Sequence, residues 1–294
     1  MINKIFFIAS ASVAGMTNPP NHAPRVHFEE RFVGNANRHF TTEEINAWLF
    51  EGKPAPTCEF QESVLANKQN GIRLQEKFAP KINFSAINSV SANGKYASRI
   101  AIYNGSITDI RADAGLTGAV GDSNSGDLFT GCGHAVATAV INAAGPNLQR
   151  DLYNQYGVPK LGGASEGALE YTQKVYGGAE GSGYSITCDA HDMRETHNID
   201  RIEFMTVPMH ETAGVQNMYK EAFEHSKDLD FIVLPMAGAT HPVLKDKPEL
   251  SAQIAMDEFV KFIERHPESR LKVVFAIFQN AECENIYREI ALKL

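Results

Sequence analysis

The sequence predicts an α/β sandwich preceded by an N-terminal extension. The chain has 294 residues, which suits one large domain, or a domain of about 150 to 200 residues with an extension. After about residue 96, short β-rich runs alternate with helical patterns, as in layered α/β folds. Two of these runs, 231–234 and 271–278, are almost continuously apolar, as strands covered on both faces are.

The first 95 residues contain two helical patterns and are predicted to be an extension packed on the domain at 96–294. The pattern at 41–52 begins with Thr41 and Glu44 at capping-box spacing. The pattern at 59–78 has spaced apolar positions with an Asn-Gly interruption.

Within the domain, strands are predicted over 99–103, 107–111, 202–207, 231–234 and 271–278. Helices are predicted over 134–144, 215–226, 249–265 and 281–292. The glycine-rich stretch 157–200, which contains a polar segment at 188–197, is predicted to form loops and a hairpin beside the core.

Composition excludes several classes of protein. With 43% hydrophobic and 21% charged residues, the chain is not of a disordered, collagen-like or coiled-coil type. The net charge of -8 argues against a nucleic-acid partner. The four cysteines are far apart and lack zinc-site spacing, so we expect free thiols in a reducing compartment and no metal. No cofactor is expected either.

No membrane partner is expected, because no run reaches the roughly 18 to 20 apolar residues that a spanning helix needs. The opening segment 1–11 has one lysine, a short apolar run and small residues, a weak likeness to a signal peptide. The run is too short for that role, and a retained strand is favoured. We therefore expect a cytoplasmic protein.

Two loops rich in small residues are candidates for ligand binding. The segment 122–136 leads directly into a predicted helix, and its glycines would let backbone N–H groups approach a diphosphate at the helix N-terminus. It is neither a Walker loop nor a dinucleotide fingerprint, so an ordinary turn is equally compatible. The segment 234–242 follows a buried strand, and the two loops together would form opposite walls of a cleft.

The segment from about 98 to 293 resembles the macrodomains, a family that binds ADP-ribose. Five pieces occur in the family's order. Residues 103–108 resemble its Gly-Asp-Ile-Thr strand, and 131–146 resemble its glycine loop and the following helix. The other similar pieces are 183–186 with 202–208, Tyr219 with 231–235 and 254–262, and the last strand at 273–278.

The resemblance implies a three-layer α/β/α sandwich with a mixed sheet. It also implies a cleft for ADP-ribose, free or attached to a protein. Adenine would lie near Ser106, Asp109 and Phe278, and the diphosphate between 131–134 and 237–240. The complete set of candidate ligand-binding residues is Ser106, Asp109, Asp113, Phe129, Gly131, Cys132, Gly133, His134, Ala237, Gly238, Ala239, Thr240, Phe278 and Asn280.

Each of the aromatic candidates also has a purely structural interpretation. Phe278 is either an adenine-stacking ring or a core residue at a strand end. Phe129 can instead cover apolar surface, and His134 can form local hydrogen bonds near a helix start.

The chain departs from the family pattern at several positions. Ser106 stands where the family has the Asp that contacts the adenine amino group, so selectivity would be weaker or supplied by Asp109 or Asn280. The Asn that orients the distal ribose in the family's hydrolases falls near Val120, and the Asp of their glycine loop falls between residues 135 and 137. Binding therefore carries over better than catalysis.

Two functions remain open. An ADP-ribosyl hydrolase would need a carboxylate to activate water, and Asp122 and Asp127 are the candidates on the first loop, although such residues are commonly solvated turn residues. The alternative is a reader or protein-interaction module without chemistry. The acidic balance and divergent loops resemble effector macrodomains, which adds delivery into a host cell as an alternative location.

Two further constellations are set aside. The residues His191, Asp192, His197 and His210 lack a helical metal-binding pattern and are interpreted as a solvated polar loop. Cys132 and His134 are too close along a loop to predict a reactive dyad, so Cys132 is interpreted as a small loop residue.

Overall fold

A computed structural model describes the fold of the chain. It describes residues 79–90, 96, 98–124, 135–145, 147, 148, 151, 184–206, 212–236, 244 and 246–294. The helical patterns predicted at 41–52 and 59–78 lie outside these residues.

A six-stranded mixed sheet forms the centre of the described part. In chain order, the strands of the described part are β1 (Ile82–Asn83), β2 (Ile100–Tyr103), β3 (Ile110–Arg111), β4 (Gly118–Asn124), β5 (Tyr184–Asp189), β6 (Arg201–Thr206), β7 (Phe231–Pro235) and β8 (Lys272–Ala276). The central sheet has the order β2-β8-β7-β4-β6-β5. Its first five strands are parallel, and β5 pairs antiparallel with β6 at the edge.

Helices cover both faces of this sheet. They are α1 (Ala135–Ala144), α2 (Asp192–Thr196), α3 (Thr212–His225), α4 (Pro248–Arg265) and α5 (Ala281–Leu292). Residues of α1 and α2 pack with one set of strand side chains, and residues of α3, α4 and α5 pack with the other. The predicted three-layer sandwich with a mixed sheet is therefore confirmed.

The alternation of side chains along the strands explains the two cores. On β7, Phe231 and Val233 face α1, whereas Ile232 and Leu234 face the opposite layer. Both sets are completely buried, which is why this strand is apolar throughout. Burying each such side chain contributes roughly 1.5 to 3 kcal/mol, so the sheet centre is the main source of stability.

Most predicted elements agree with the structure to within a few residues. The helix predicted at 281–292 has those bounds in the structure, and the other three differ only at their ends. The predicted strand at 107–111 is wrong over its first half, where Ile107–Asp109 forms a 3₁₀ turn and only Ile110–Arg111 is extended. The side chain of Ser106 caps this turn, which ends the extended backbone.

Strand β4 was missed because its sequence, with two glycines, an aspartate and an asparagine, is typical of a loop. The glycines are needed for packing: a Cβ at Gly118 would meet the Phe231 ring, and a Cβ at Gly121 would meet Leu234 and Met205. Neighbouring large side chains thus fill the space beside this strand, and only glycine lets them approach.

The segment 79–90 packs against the domain. Strand β1 pairs with β3 in parallel, and the ring of Phe84 stacks on Phe231 with centroids 4.2 Å apart. Ser85 donates hydrogen bonds from its N–H and its hydroxyl to the Asp113 carboxylate, both at 2.8 Å. The described segment 79–90 is therefore joined to the domain by strand pairing, stacking and hydrogen bonds, and the Phe84 ring contacts the central sheet itself.

Among the described residues, no helix is both long and apolar enough to span a bilayer. Cys188 and Cys283, the two described cysteines, form no disulfide.

Candidate functional site

The candidate site lies at the carboxyl ends of the five parallel strands, where open α/β sheets bind ligands. Strands β4 and β7 are neighbours in the sheet, so both predicted glycine loops start from adjacent strand ends. The loop residues themselves lie outside the described part of the chain. They are Asp127, Phe129, Gly131, Cys132, Gly133, His134, Ala237, Gly238, Ala239 and Thr240.

A capped turn follows β2 at this edge. The Ser106 hydroxyl accepts a hydrogen bond from the N–H of Thr108 at 3.3 Å, and the Asp109 carboxylate accepts one from the N–H of Ser106 at 2.9 Å. This reciprocal pair satisfies backbone donors at the start of the turn. Two predicted ligand residues therefore set the backbone conformation at the end of β2.

The Asp109 carboxylate has two further partners. It accepts a hydrogen bond from the Tyr103 hydroxyl at 3.2 Å and pairs with the Lys81 ammonium at 3.0 Å. Burial, followed by the charge of Asp109, raises the pKa of Tyr103 to about 12. With three donors around it, this carboxylate is occupied within the protein. The sequence analysis did not identify Tyr103 or Lys81 as contributors to this turn.

A second rim segment follows β8. The side chain of Phe278 is 57% exposed, so the alternative that it is a core residue is wrong. The next residue, Gln279, has a φ of +52°, and Asn280 caps α5 by accepting a hydrogen bond from the N–H of Cys283 at 3.0 Å. The left-handed turn and the cap hold the backbone that carries the exposed ring.

This rim is also tied to the neighbouring loop after β2. Asn104 donates a hydrogen bond to the Glu284 carboxylate at 2.7 Å, and Arg288 bonds the same side chain at 2.9 Å while donating to the carbonyl of Ile102 at 3.1 Å. Helix α5 therefore connects the two rim segments. These hydrogen bonds therefore link the backbone segment of Ser106 to the helix that follows Phe278.

Asp122 does not lie on a loop, contrary to the sequence analysis. It is part of β4, is completely buried, and its carboxyl oxygens have no hydrogen-bond partner within the described structure. Burial raises the pKa of Asp122 to about 7, because an ionised carboxylate loses its hydration there. Val120, on the same face of the strand, is also completely buried, so neither side chain is exposed to a ligand in this structure.

Asp113 and the polar segment 188–197 contribute to packing. Asp113 binds Ser85, as described above, and so anchors the segment before the domain.

The interpretation of the polar segment as a solvated loop is wrong: residues 192–196 form α2, and His197 is 1% exposed. Its Nε2 donates a hydrogen bond to the carbonyl of Thr108 at 3.0 Å. Thr108 lies in the capped turn, so this buried histidine helps to fix the position of the turn.

His191 is also structural. Its backbone has a φ of +46°, and its N–H donates a hydrogen bond to the Asp189 carboxylate at 2.7 Å. Its Nε2 lies 3.3 Å from the Asp151 carboxylate. Among the described residues, no group of histidine, cysteine and acidic side chains is arranged to hold a metal ion, and His210 lies outside them.

Comparisons with known proteins show what this architecture is similar to. No family model matches the sequence, and no curated protein matches it. Among solved structures, a Trypanosoma brucei macrodomain is 18% identical, with a TM-score of 0.52 over 72% of this chain and 74% of that chain. The Trypanosoma brucei macrodomain in complex with ADP-ribose is 15% identical, with a TM-score of 0.51 over 80% and 97%.

A further similar structure is the macro domain of ganglioside induced differentiation associated protein 2. It is 15% identical, with a TM-score of 0.50 over 71% of this chain and 94% of that chain. At these identities the likeness concerns the fold.

Proposed function

Since this chain has the macrodomain fold, we propose that the carboxyl edge of its sheet binds ADP-ribose, free or attached to a protein. The observation that carries the proposal is the likeness to the Trypanosoma brucei macrodomain in complex with ADP-ribose, which is covered over 97% of its length. Ligands of open α/β sheets bind at this edge, where the two glycine loops begin.

The exposed ring of Phe278 supports a base-binding position after β8. A purine needs an accessible aromatic face to stack on, and such stacking contributes about 1 to 3 kcal/mol. The 57% exposure of Phe278 meets this requirement, and the capped start of α5 holds the backbone beside it. The ring is therefore available without rearrangement of the core.

Polar recognition of the base would come from Ser106 in preference to Asp109. The Asp109 carboxylate already accepts from Ser106, Tyr103 and Lys81, and a ligand would have to displace one of these donors. The Ser106 side chain is only partly buried and interacts with Thr108. We therefore expect modest discrimination among purine bases.

Calorimetric titration tests the proposal. ADP-ribose should bind saturably and more tightly than AMP or ribose-5-phosphate, and Phe278→Ala should weaken binding about 5- to 150-fold, equivalent to a loss of about 1 to 3 kcal/mol. Leu292→Ala is the matched control, because Leu292 is 52% exposed but lies at the end of α5. No binding at millimolar ligand, or equal effects of the two variants, would refute the proposal.

Hydrolysis of the ADP-ribosyl bond is a second candidate function, favoured by the state of Asp122. A buried carboxyl with a pKa near 7 and no partner among the described residues is costly in a fold and is typical of functional sites. Such a group would accept a proton from water near neutral pH if ligand binding brought water to it. Asp127 remains the other candidate.

Single-turnover release of ADP-ribose from a modified protein tests this candidate. Asp122→Asn should lower the rate at least 100-fold with little change in ADP-ribose affinity, and the wild-type rate should rise with pH up to about 7. Asp127→Asn tests the alternative base in the same assay. Binding without release in the wild-type protein would support the reader or protein-interaction function and refute hydrolysis.

A further inference from the structure

A cavity of about 140 Å³ lies at the amino-terminal ends of β2 and β8, at the opposite end of the sheet from the carboxyl edge. It is far larger than the roughly 10 to 15 Å³ that one water requires, so it has room for a polyatomic ion. Among its described lining residues are Phe84, Ser98, Arg99 and Lys272.

The charge of this cavity is of one sign. Its described lining contains two cations, Arg99 and Lys272, and no carboxylate, although the whole chain carries a net charge of -8. No acidic side chain of the described structure forms an ion pair with either cation. Two positive charges therefore share a concave surface, and no described carboxylate pairs with either of them.

The Arg99 guanidinium is fixed by two hydrogen bonds to backbone carbonyls. Its Nε donates to the carbonyl of Leu271 at 2.9 Å, and its Nη2 donates to the carbonyl of Ser269 at 2.8 Å. Of the five N–H groups of a guanidinium, these two described contacts use two, and the other three have no acceptor among the described residues. Burial lowers the pKa of Arg99, because its charge is partly desolvated.

Lys272 is placed at the same cavity by an aromatic stack. It pairs with Phe231 across β7 and β8, and the ring of Phe84 stacks on Phe231. The Lys272 ammonium lies 5.9 Å from the centroid of Phe84, within the range of a cation–π interaction. The ring guides the ammonium without neutralising it.

A hydroxyl group adds a neutral donor. Ser85 donates to Asp113 and Ser89 donates to the carbonyl of Ser98, so both of these hydroxyl protons are committed. Ser98 also lines the cavity, and its hydroxyl has no such commitment within the described structure. A guanidinium, an ammonium and a hydroxyl around one cavity are the donor types that bind a phosphate group.

We propose that this cavity binds a phosphate group, as inorganic phosphate or as the phosphate of a small phosphomonoester. The site is separate from the carboxyl edge and does not depend on the proposed binding of ADP-ribose. Its donors are Arg99, Lys272 and Ser98.

A titration of the full-length, ¹⁵N-labelled protein with inorganic phosphate at constant ionic strength tests the proposal by NMR. The amide resonances of Arg99, Lys272 and Val273 should shift saturably, and Lys272→Gln should weaken phosphate binding at least fivefold. Lys220→Gln is the matched control, since Lys220 is exposed on α3, away from the cavity. The ionic strength is kept constant because added salt also screens charges and could shift the resonances without binding.

A second arm separates this site from the carboxyl edge. The titration is repeated with saturating ADP-ribose, which should leave the shifts of Arg99 and Lys272 unchanged. Ribose-5-phosphate used in place of phosphate identifies the source: tighter binding at the same resonances assigns a phosphomonoester, and equal or weaker binding assigns the free ion.

The proposal is overturned by three results. These are linear shifts without saturation, equal affinity in Lys272→Gln and Lys220→Gln, or complete displacement of phosphate from these resonances by ADP-ribose. Arg99→Lys, which keeps the charge but loses the planar fork, should reduce affinity without abolishing the shifts. If that variant does not fold, Lys272→Gln alone still decides the outcome.

Discussion

The backbone N–H of Ser106 donates a hydrogen bond to the carboxylate of Asp109 at 2.9 Å, and this contact closes the turn at the end of β2. Both residues are predicted ligand contacts, yet in the described structure they bind each other. The same carboxylate connects the turn to Tyr103 and to Lys81, which precedes β1. One buried acid thus joins three segments at the rim of the candidate site.

Asp109→Asn should therefore destabilise the fold. The amide has one oxygen for three donors and no charge for Lys81, so we expect a loss of about 1 to 3 kcal/mol in the free energy of unfolding. The pKa of Tyr103 should fall from about 12 but stay above 10, because burial also raises it. Urea unfolding and NMR titration of the tyrosine ring measure these effects. Glu268→Gln, at a 76% exposed side chain, is the control, and equal stability of the two variants would contradict the expectation.

Gly145→Ala should be more damaging than Gly115→Ala. Both glycines have left-handed backbone, with φ of +81° and +83°, so either alanine costs about 1 to 2 kcal/mol. A Cβ at Gly145 would also force the exposed Asp192 carboxylate to move, which adds a small cost, whereas a Cβ at Gly115 meets nothing within 4 Å. Thermal unfolding measures the difference. Adding Asp192→Ala should remove the excess cost at Gly145, and a persisting excess would show that the collision is not its cause.

The burial of Asp122 should make the protein less stable as the pH rises from about 4 to 7. In the unfolded chain this carboxyl ionises near its ordinary pKa of about 3.9, but in the folded chain only near 7. Between these values the unfolded state binds fewer protons, so the free energy of unfolding falls with pH, by on the order of 4 kcal/mol in all.

Asp122→Asn should flatten this part of the stability profile. Chemical unfolding between pH 4 and 8 measures it, with Asp246→Asn, at an exposed position, as the control. A wild-type profile that is already flat, or a slope retained in Asp122→Asn, would mean that Asp122 is not buried in its acid form.

His225 should contribute stability at low pH. Its Nδ1 donates to the completely buried Glu203 carboxylate at 3.2 Å, and this hydrogen bond, reinforced by the charge of Glu203, raises the pKa of His225. The contribution is complete below the ordinary histidine pKa of about 6.5 and is lost as the pH rises through the higher value of the folded state.

NMR titration of the His225 ring tests this relationship. Glu203→Gln should return the pKa of His225 towards its ordinary value, because the neutral amide no longer favours the imidazolium. Ser185 and Thr187 also donate to Glu203, both at 2.7 Å, so the variant should be less stable as well. An unchanged titration of His225 in Glu203→Gln would assign the raised pKa to Glu221 and Glu224 instead.

Periodic apolar patterns predicted helices and central strands accurately. The apolar spacing predicts helix α5 and strand β7 directly, because each element buries apolar side chains at regular positions. The same reasoning failed for β4, where the side chains of Phe231, Leu234 and Met205 fill the space beside the glycines. A neighbour's volume cannot be read from the local pattern.

The sequence by itself determined the layered α/β fold, the order of its main elements and the resemblance that points to ADP-ribose, because these depend on periodicity and on the order of motifs. Tertiary structure alone decided that Asp122 and His197 are buried, that Phe278 is exposed and that the Asp109 carboxylate is already occupied. The physical reason is that burial and hydrogen bonding are set by segments distant in the chain. A polar residue is solvated or enclosed according to what packs over it, and its pKa and its availability to a ligand follow from that packing.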